Sequence, residues 1–320
     1  MLKKTIILLV LLMVVVFALD HLFYFGLSHN LNLKSTYAAR GNNTADILVL
    51  GPCEPLFTVD PAYIQQKTGK TMYNLSLNHS DFADNFLHLY LYLKNNPAPE
   101  YLFLYATPES FDTRFNTFHA YRFAPFLSDS TIRAVVAEQA PDYVSWMNLP
   151  LLRYAYFNQQ LTFPALQGIK HWTENKKAPY FTDGHQPHPS SRSLDNPLHF
   201  EVQLDEYGNR PEDPTYKKFE FSSKREKYFG KIIQLASSKG VKVIVYESPG
   251  YSGIFKTQSN RKEMLDQIRY DAEGYRSTYW IFDQLPLGDK KVNFICPLIM
   301  NSEASRVFMD TLSLRINKLR

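Results

Sequence analysis

Basic clusters are missing from this sequence. Lysine and arginine are scattered over 320 residues, the net charge is only +4, and no Lys/Arg run is interleaved with aromatics. A nucleic-acid partner would need such a patch, so that class is excluded. Histidine is missing from residues 200–320, since all nine lie between His21 and His199. No imidazole-dependent step can therefore draw on the last third of the chain. His171, His185, His188 and His199 match no compact zinc spacing. No metal or other cofactor is predicted, and the chain has no internal repeat. Cysteine is scarce as well, with Cys53 and Cys296 the only two.

With 45% hydrophobic and 21% charged residues, the chain can bury a sizeable core as one large domain or two small ones. The 21 tyrosines and 23 phenylalanines read as core and amphipathic surface, with stacking on carbohydrate as the sharper alternative. At the amino terminus, Lys3-Lys4 precede an unbroken apolar run from Thr5 to Leu19. Asp20-His21 interrupt it, and a second apolar patch covers residues 22–27. Basic flank and apolar length fit a signal sequence or an anchor. No small-x-small cleavage site follows the run directly, and with the second patch the segment is about long enough to span a bilayer. The reading favoured is an uncleaved anchor over residues 1–27, Asp20-His21 at the outer interface, the tail cytoplasmic and the bulk of the chain outside. Residues 28–44 are polar and Asn-rich and read as a tether or a short lead-in helix. Outside the cytoplasm two cysteines can stay oxidised.

Residues 45–61 organise the rest of the chain. The run Ile47-Leu48-Val49-Leu50, closed by Gly51-Pro52, reads as a buried strand that stops abruptly. Cys53 then stands just past the carboxyl end of a central strand, where open α/β sheets place their chemistry. Asp60-Pro61 supplies an N-cap and a first helical residue, for a helix over 61–67 closed by Gly69. Further strands are predicted over 71–75, 101–106, 241–246 and 278–282. Helices begin at Ser80-Asp81, at Ser223 with Glu226 as a capping box, near Asn260 and at Asn301. Strands alternating with helices argue for right-handed βαβ units and a parallel sheet. The pattern pauses over residues 112–221, which read as a long insertion or small cap after the third strand. The fold class expected is α/β, with the 2-1-3-4-5 order of a flavodoxin-like three-layer sandwich over residues 45–320.

Two blocks carry a family resemblance. Gly51-Pro52-Cys53-Glu54, followed by Val59-Asp60-Pro61, resembles the first block of the SGNH/GDSL hydrolases, in the membrane-anchored branch related to cell-surface polysaccharide O-acylation accessory proteins. That block reads Gly-x-Ser-Arg or Gly-x-Ser-His, with Asp-Pro after it. Cys53 stands at the nucleophile position, and Glu54 where a basic residue is usual. The second block, Cys296-Pro297-Leu298-Ile299-Met300-Asn301, is similar to the family's terminal Asp-Pro-Leu-His-Leu-Asn. Cys296 replaces the aspartate and Ile299 the histidine.

The resemblance implies an SGNH-like fold and, as substrate class, acyl or acetyl esters on cell-envelope glycans, with a membrane-bound acyltransferase as partner. It also implies degeneracy, because an isoleucine has no titratable group to take a nucleophile's proton. Three functions stay open: a catalytically degenerate anchored protein that binds glycan or assists acylation, an active esterase or acyltransferase, and an anchored structural protein without ligand. The active alternative would use Cys53 with a displaced base such as His79, and Ser76 or Asn78 as oxyanion donors. In the family's frame the two blocks converge, so Cys53 and Cys296 are expected either as a disulfide or as two independent buried thiols. Glu109 and Glu247, just past strand ends, could act as paired carboxylates.

Overall fold

The first helix is continuous through the charged interruption: α1 runs Leu2–His29. The computed structural model describes residues 2–115, 117–157, 159–176, 183–186, 218–256, 258–282 and 285–319. They fall into two compact units, residues 1–41 with 118–180, and residues 42–117 with 181–320. Within residues 28–44, expected as a tether or a short lead-in helix, the short helix α2 (Lys34–Ala39) belongs with α1 to the first unit, and Ser35, Thr36 and Ala38 are buried.

Along α1 the side chains up to Leu19 are exposed almost throughout, and the helix is apolar enough to cross a membrane. From Asp20 the same helix enters the folded unit, with Asp20, Gly26 and Leu27 buried. Thr36 Oγ1 then ties α2 back by donating to Leu27 O at 3.0 Å.

The second unit starts with β1 (Ile47–Leu50), α3 (Cys53–Thr58) and α4 (Pro61–Thr68). Asp60 caps α4 by accepting from Tyr63 N, and Gly69 closes it at φ 74, a left-handed position that glycine takes without cost. β2 (Met72–Asn74) leads to α5 (Phe82–Asn95), capped by Asp81 through Ala83 N and Asp84 N. β3 (Tyr101–Tyr105) and the single turn α6 (Pro108–Phe111) follow.

The chain then returns to the first unit with α7 (Ser130–Gln139), α8 (Leu152–Ala155) and α9 (Gln159–Thr173). Its apolar centre is Leu27, Ala124, Tyr154, Leu161 and Ala165. Asp20 makes the main polar tie. It pairs with Arg153 and accepts from Leu151 N at 2.7 Å. Residues 118–180, within the long insertion, thus share one unit with residues 1–41.

The second unit is completed by α10 (Ser223–Ser238), β4 (Lys242–Tyr246), α11 (Ser252–Phe255), α12 (Arg261–Gly274), β5 (Thr278–Trp280) and α13 (Ser302–Ile316). Between β5 and α13 lies an antiparallel ribbon, β6 (Phe294–Cys296) and β7 (Ile299–Met300). The five main strands are all parallel in the order β2-β1-β3-β4-β5, as the sequence predicts. Successive side chains on a strand point to opposite faces, and both sets are buried in β1, β2 and β3 and in β4 beyond Lys242, while β5 at the edge is only partly covered. Ile47, Val49, Phe103 and Ile244 share a core with Ile64 of α4 and Phe308 and Leu312 of α13. On the other side α10 packs on β4 and on α5, with Phe82 edge-on to Phe229 at 5.4 Å. Strands covered on both faces read as continuous apolar runs, which is why these segments are legible as strands.

Candidate functional site

The carboxyl edge of the sheet in the second unit gathers the chemistry. Gly51 ends β1 where a side chain has no room: a Cβ there would lie 2.7 Å from Tyr105 Cβ and 2.6 Å from Pro55 Cγ. Its carbonyl accepts from Ser80 Oγ at 2.8 Å and Leu77 N at 3.0 Å. Pro52 precedes α3, so Cys53 is the first residue of a helix rather than of a loop. Asn74, at the end of β2, fixes that helix by donating from Nδ2 to Pro55 O at 2.7 Å and Val59 O at 3.0 Å.

Cys53, Cys296 and Ile299 do meet. Cys53 and Phe57 pack against an apolar cluster of Ile295, Cys296 and Ile299. The ribbon is the reason, since Pro297-Leu298 turns the chain so that Cys296 and Ile299 sit opposite each other. Both cysteines are thiols in this structure, Cys296 buried and Cys53 half-buried. The Cys53 thiol donates to Glu54 Oε2 at 3.4 Å. Burial first, then the Glu54 carboxylate and Cys296, push its pKa well up. A thiol held protonated is a poor nucleophile.

The sequence marks Glu54 only as a departure from the family pattern. In the structure it is buried, and burial, reinforced by Glu109, raises its pKa from 4.5 to about 7 against the pull of a backbone N–H. Its charge also helps to lift the buried Tyr105 and Tyr246 hydroxyls, after burial itself. Beside it, Glu109 follows β3 and Glu247 follows β4, and the two share Arg261 at the start of α12. Arg261 pairs with Glu247 and lies 3.6 Å from Glu109 Oε1, which also accepts from Gln258 Nε2 at 3.2 Å. All three charged groups are buried. Arg261 gives no sequence signal beyond its place after a helix cap.

The remaining candidates are placed differently. Ser76 is buried, its backbone N–H donating to Asn74 Oδ1 at 3.0 Å. Asn78 and His79 are exposed on the turn beyond β2, His79 with φ 54. His185 comes against α3, its Nε2 3.3 Å from Phe57 O and Nδ1 4.0 Å from Asp60 Oδ1. His188 and His199 lie outside the described residues. Among the described residues no three His, Cys, Asp or Glu side chains are placed to share a metal ion.

No family model and no curated protein matches the chain. A carboxyl group that titrates near neutrality can both donate and accept a proton, but its nearest thiol is protonated, and the position that faces Cys296 across the ribbon is an aliphatic side chain.

Glu54 also sets a pH dependence. An acid whose pKa rises on folding holds its proton more tightly in the folded state. Its contribution to stability is then largest at low pH and is lost as pH climbs from 4.5 to about 7. Glu54→Gln is expected to be more stable than the parent above neutrality, by up to about 3 kcal/mol at roughly 1.4 kcal/mol per pH unit. The gap should close towards pH 5. Urea unfolding of both proteins at pH 5 and pH 8 reads this, and a gap of equal size at the two pH values would refute it.

Proposed function

We propose that the chain is a membrane-anchored, extracytoplasmic SGNH-hydrolase-like protein with degenerate catalytic positions, which binds cell-envelope glycans or assists their acylation by a membrane-bound acyltransferase. One observation carries this reading. Cys53, Cys296 and Ile299 converge in an apolar cluster, where a hydrolase of that frame would hold its nucleophile, acid and imidazole. The sheet order β2-β1-β3-β4-β5 agrees with the same frame. Retention of the anchor is supported by residues 20–29, which are part of the first unit's packing, so cleavage near Leu19 would cut into a folded helix.

The esterase alternative is the weaker one. It needs a thiolate and a base, yet the Cys53 proton is directed to Glu54, and His79 stands exposed on its turn. The decisive experiment is hydrolysis of an aryl acetate by the purified full chain in detergent. The expected result is a background rate unchanged by Cys53→Ala. Turnover that Cys53→Ala abolishes would overturn the degenerate reading. Retention of the chain on acetylated envelope glycan, with no acetate released, separates glycan binding from a purely structural role.

A further inference from the structure

The first unit carries a second apolar surface beside the anchor. With Lys3-Lys4 at the inner headgroups, the apolar run from Thr5 to Leu19 rises about 22 Å at 1.5 Å per residue, most of the ~30 Å of a bilayer's hydrocarbon core. Asp20 therefore marks the level at which the helix leaves that core. Residue 151 is fixed to this level, because Leu151 N donates to Asp20 Oδ1 at 2.7 Å and the neighbouring Arg153 pairs with the same carboxylate.

The chain around this tie is turned inside out by the standard of a water-facing surface. Trp146, Leu149, Leu152 and Tyr156 are exposed by 39–43%, while Tyr143, Met147 and Tyr154 of the same stretch are buried. Between Tyr143 and Tyr156 the one charged side chain is Arg153, and it is engaged with Asp20. Trp146 and Tyr156 lie together, ring centroids 5.9 Å apart. Tryptophan and tyrosine favour the headgroup level, where an apolar ring body and a polar edge are both accommodated. Exposed apolar side chains gathered in one short segment mark an interaction surface, and the segment's register on the anchor decides which one.

We infer that residues 143–156 form an interfacial element that beds Trp146, Leu149, Leu152 and Tyr156 into the outer leaflet beside α1. The inference rests on the anchored reading above and adds a second contact with lipid, made by a segment more than a hundred residues away in sequence. It assigns these exposed rings to lipid rather than to sugar.

The test uses the full chain with Trp172→Phe and Trp280→Phe, which leaves Trp146 as the sole tryptophan. The protein is reconstituted into phosphatidylcholine vesicles, either plain or brominated on the acyl chains near the headgroup. The expected result is that Trp146 loses most of its emission in the brominated vesicles. A second reporter, Leu149→Trp in a background with all three native tryptophans changed to Phe, should be quenched likewise. Unchanged emission from both reporters, in protein that still floats with the vesicles after an alkaline wash, overturns the inference and leaves the anchor standing. Release into the wash overturns both.

Discussion

Arg261→Met should cost the second unit about 3–5 kcal/mol at pH 8, the range for removing one partner of a buried ion pair. The methionine keeps most of the volume over the Phe255 ring, which the guanidinium carbon approaches to 3.5 Å, so the loss isolates the charge. Without it, Glu109 and Glu247 remain buried beside Glu54 with no cation among their described partners. Their buried charges are then uncompensated. Chemical unfolding of the detergent-solubilised chain at pH 8 measures the loss. A loss under 1 kcal/mol at pH 8 would mean that the cluster is balanced by something other than Arg261. Adding Glu247→Gln should restore part of the loss, because it removes one of the stranded charges.

Gly168→Ala is expected to disrupt the first unit by a route that involves no charge. α9 crosses α1 at Gly26 and Gly168, where the backbones touch: a Cβ on Gly168 would stand 1.7 Å from Gly26 O and 2.9 Å from Asn30 N. Both obstacles are main chain, so no change of rotamer relieves them and the helices must part. Parting them strains the bonds that flank the crossing, Asn30 Nδ2 to Pro164 O at 2.8 Å and Leu31 N to His171 Nδ1 at 3.3 Å. Overpacking of this kind costs about 1–3 kcal/mol and sometimes more. Hydrogen exchange of the α9 amides should accelerate in step. Gly274→Ala is the control, since a Cβ there meets nothing within 4 Å, and its effect should stay within about 0.5 kcal/mol. Equal exchange rates in the two variants would show that the crossing tolerates a methyl group.

The legible part of the fold rests on local signals. Short apolar runs closed by Gly, Pro or polar residues mark all five parallel strands, and Asp60, Asp81 and Asn301 cap the helices that their positions predict. At α10 the cap is Ser222, one residue before the expected Ser223, because two adjacent serines offer the same hydroxyl. α3 is hidden by its prolines. Gly-Pro-Cys-Glu-Pro reads as loop, yet Pro55 falls in the first helical turn, where its missing N–H costs nothing. The β6–β7 ribbon is too short for any periodicity to show. The site is half visible. Cys53, Cys296 and Ile299 come from the resemblance, whereas the burial of Glu54 and its company of Glu109, Glu247 and Arg261 depend on how β1, β3, β4 and α12 are set side by side. The union of residues 1–41 with 118–180 carries even less local signal. Its one trace is Asp20, a carboxylate interrupting an apolar run, whose partner Arg153 lies far along the chain.

The continuity of α1 has a mechanical consequence. A helix without a break from Leu2 to His29 is a stiff rod, and its upper third is clamped by Asp20 and by the crossing at Gly26. Such a rod has no swivel. In a chain anchored as proposed, the first unit cannot spin or bob on a flexible stalk. It is carried at a set height and with a set azimuth about the rod, and any torque applied to it passes into the lipid-embedded part. A membrane-embedded partner would then meet the same face of this unit at every encounter, and a few glycines inserted just after Leu19 would destroy that constancy while leaving both ends of the helix intact.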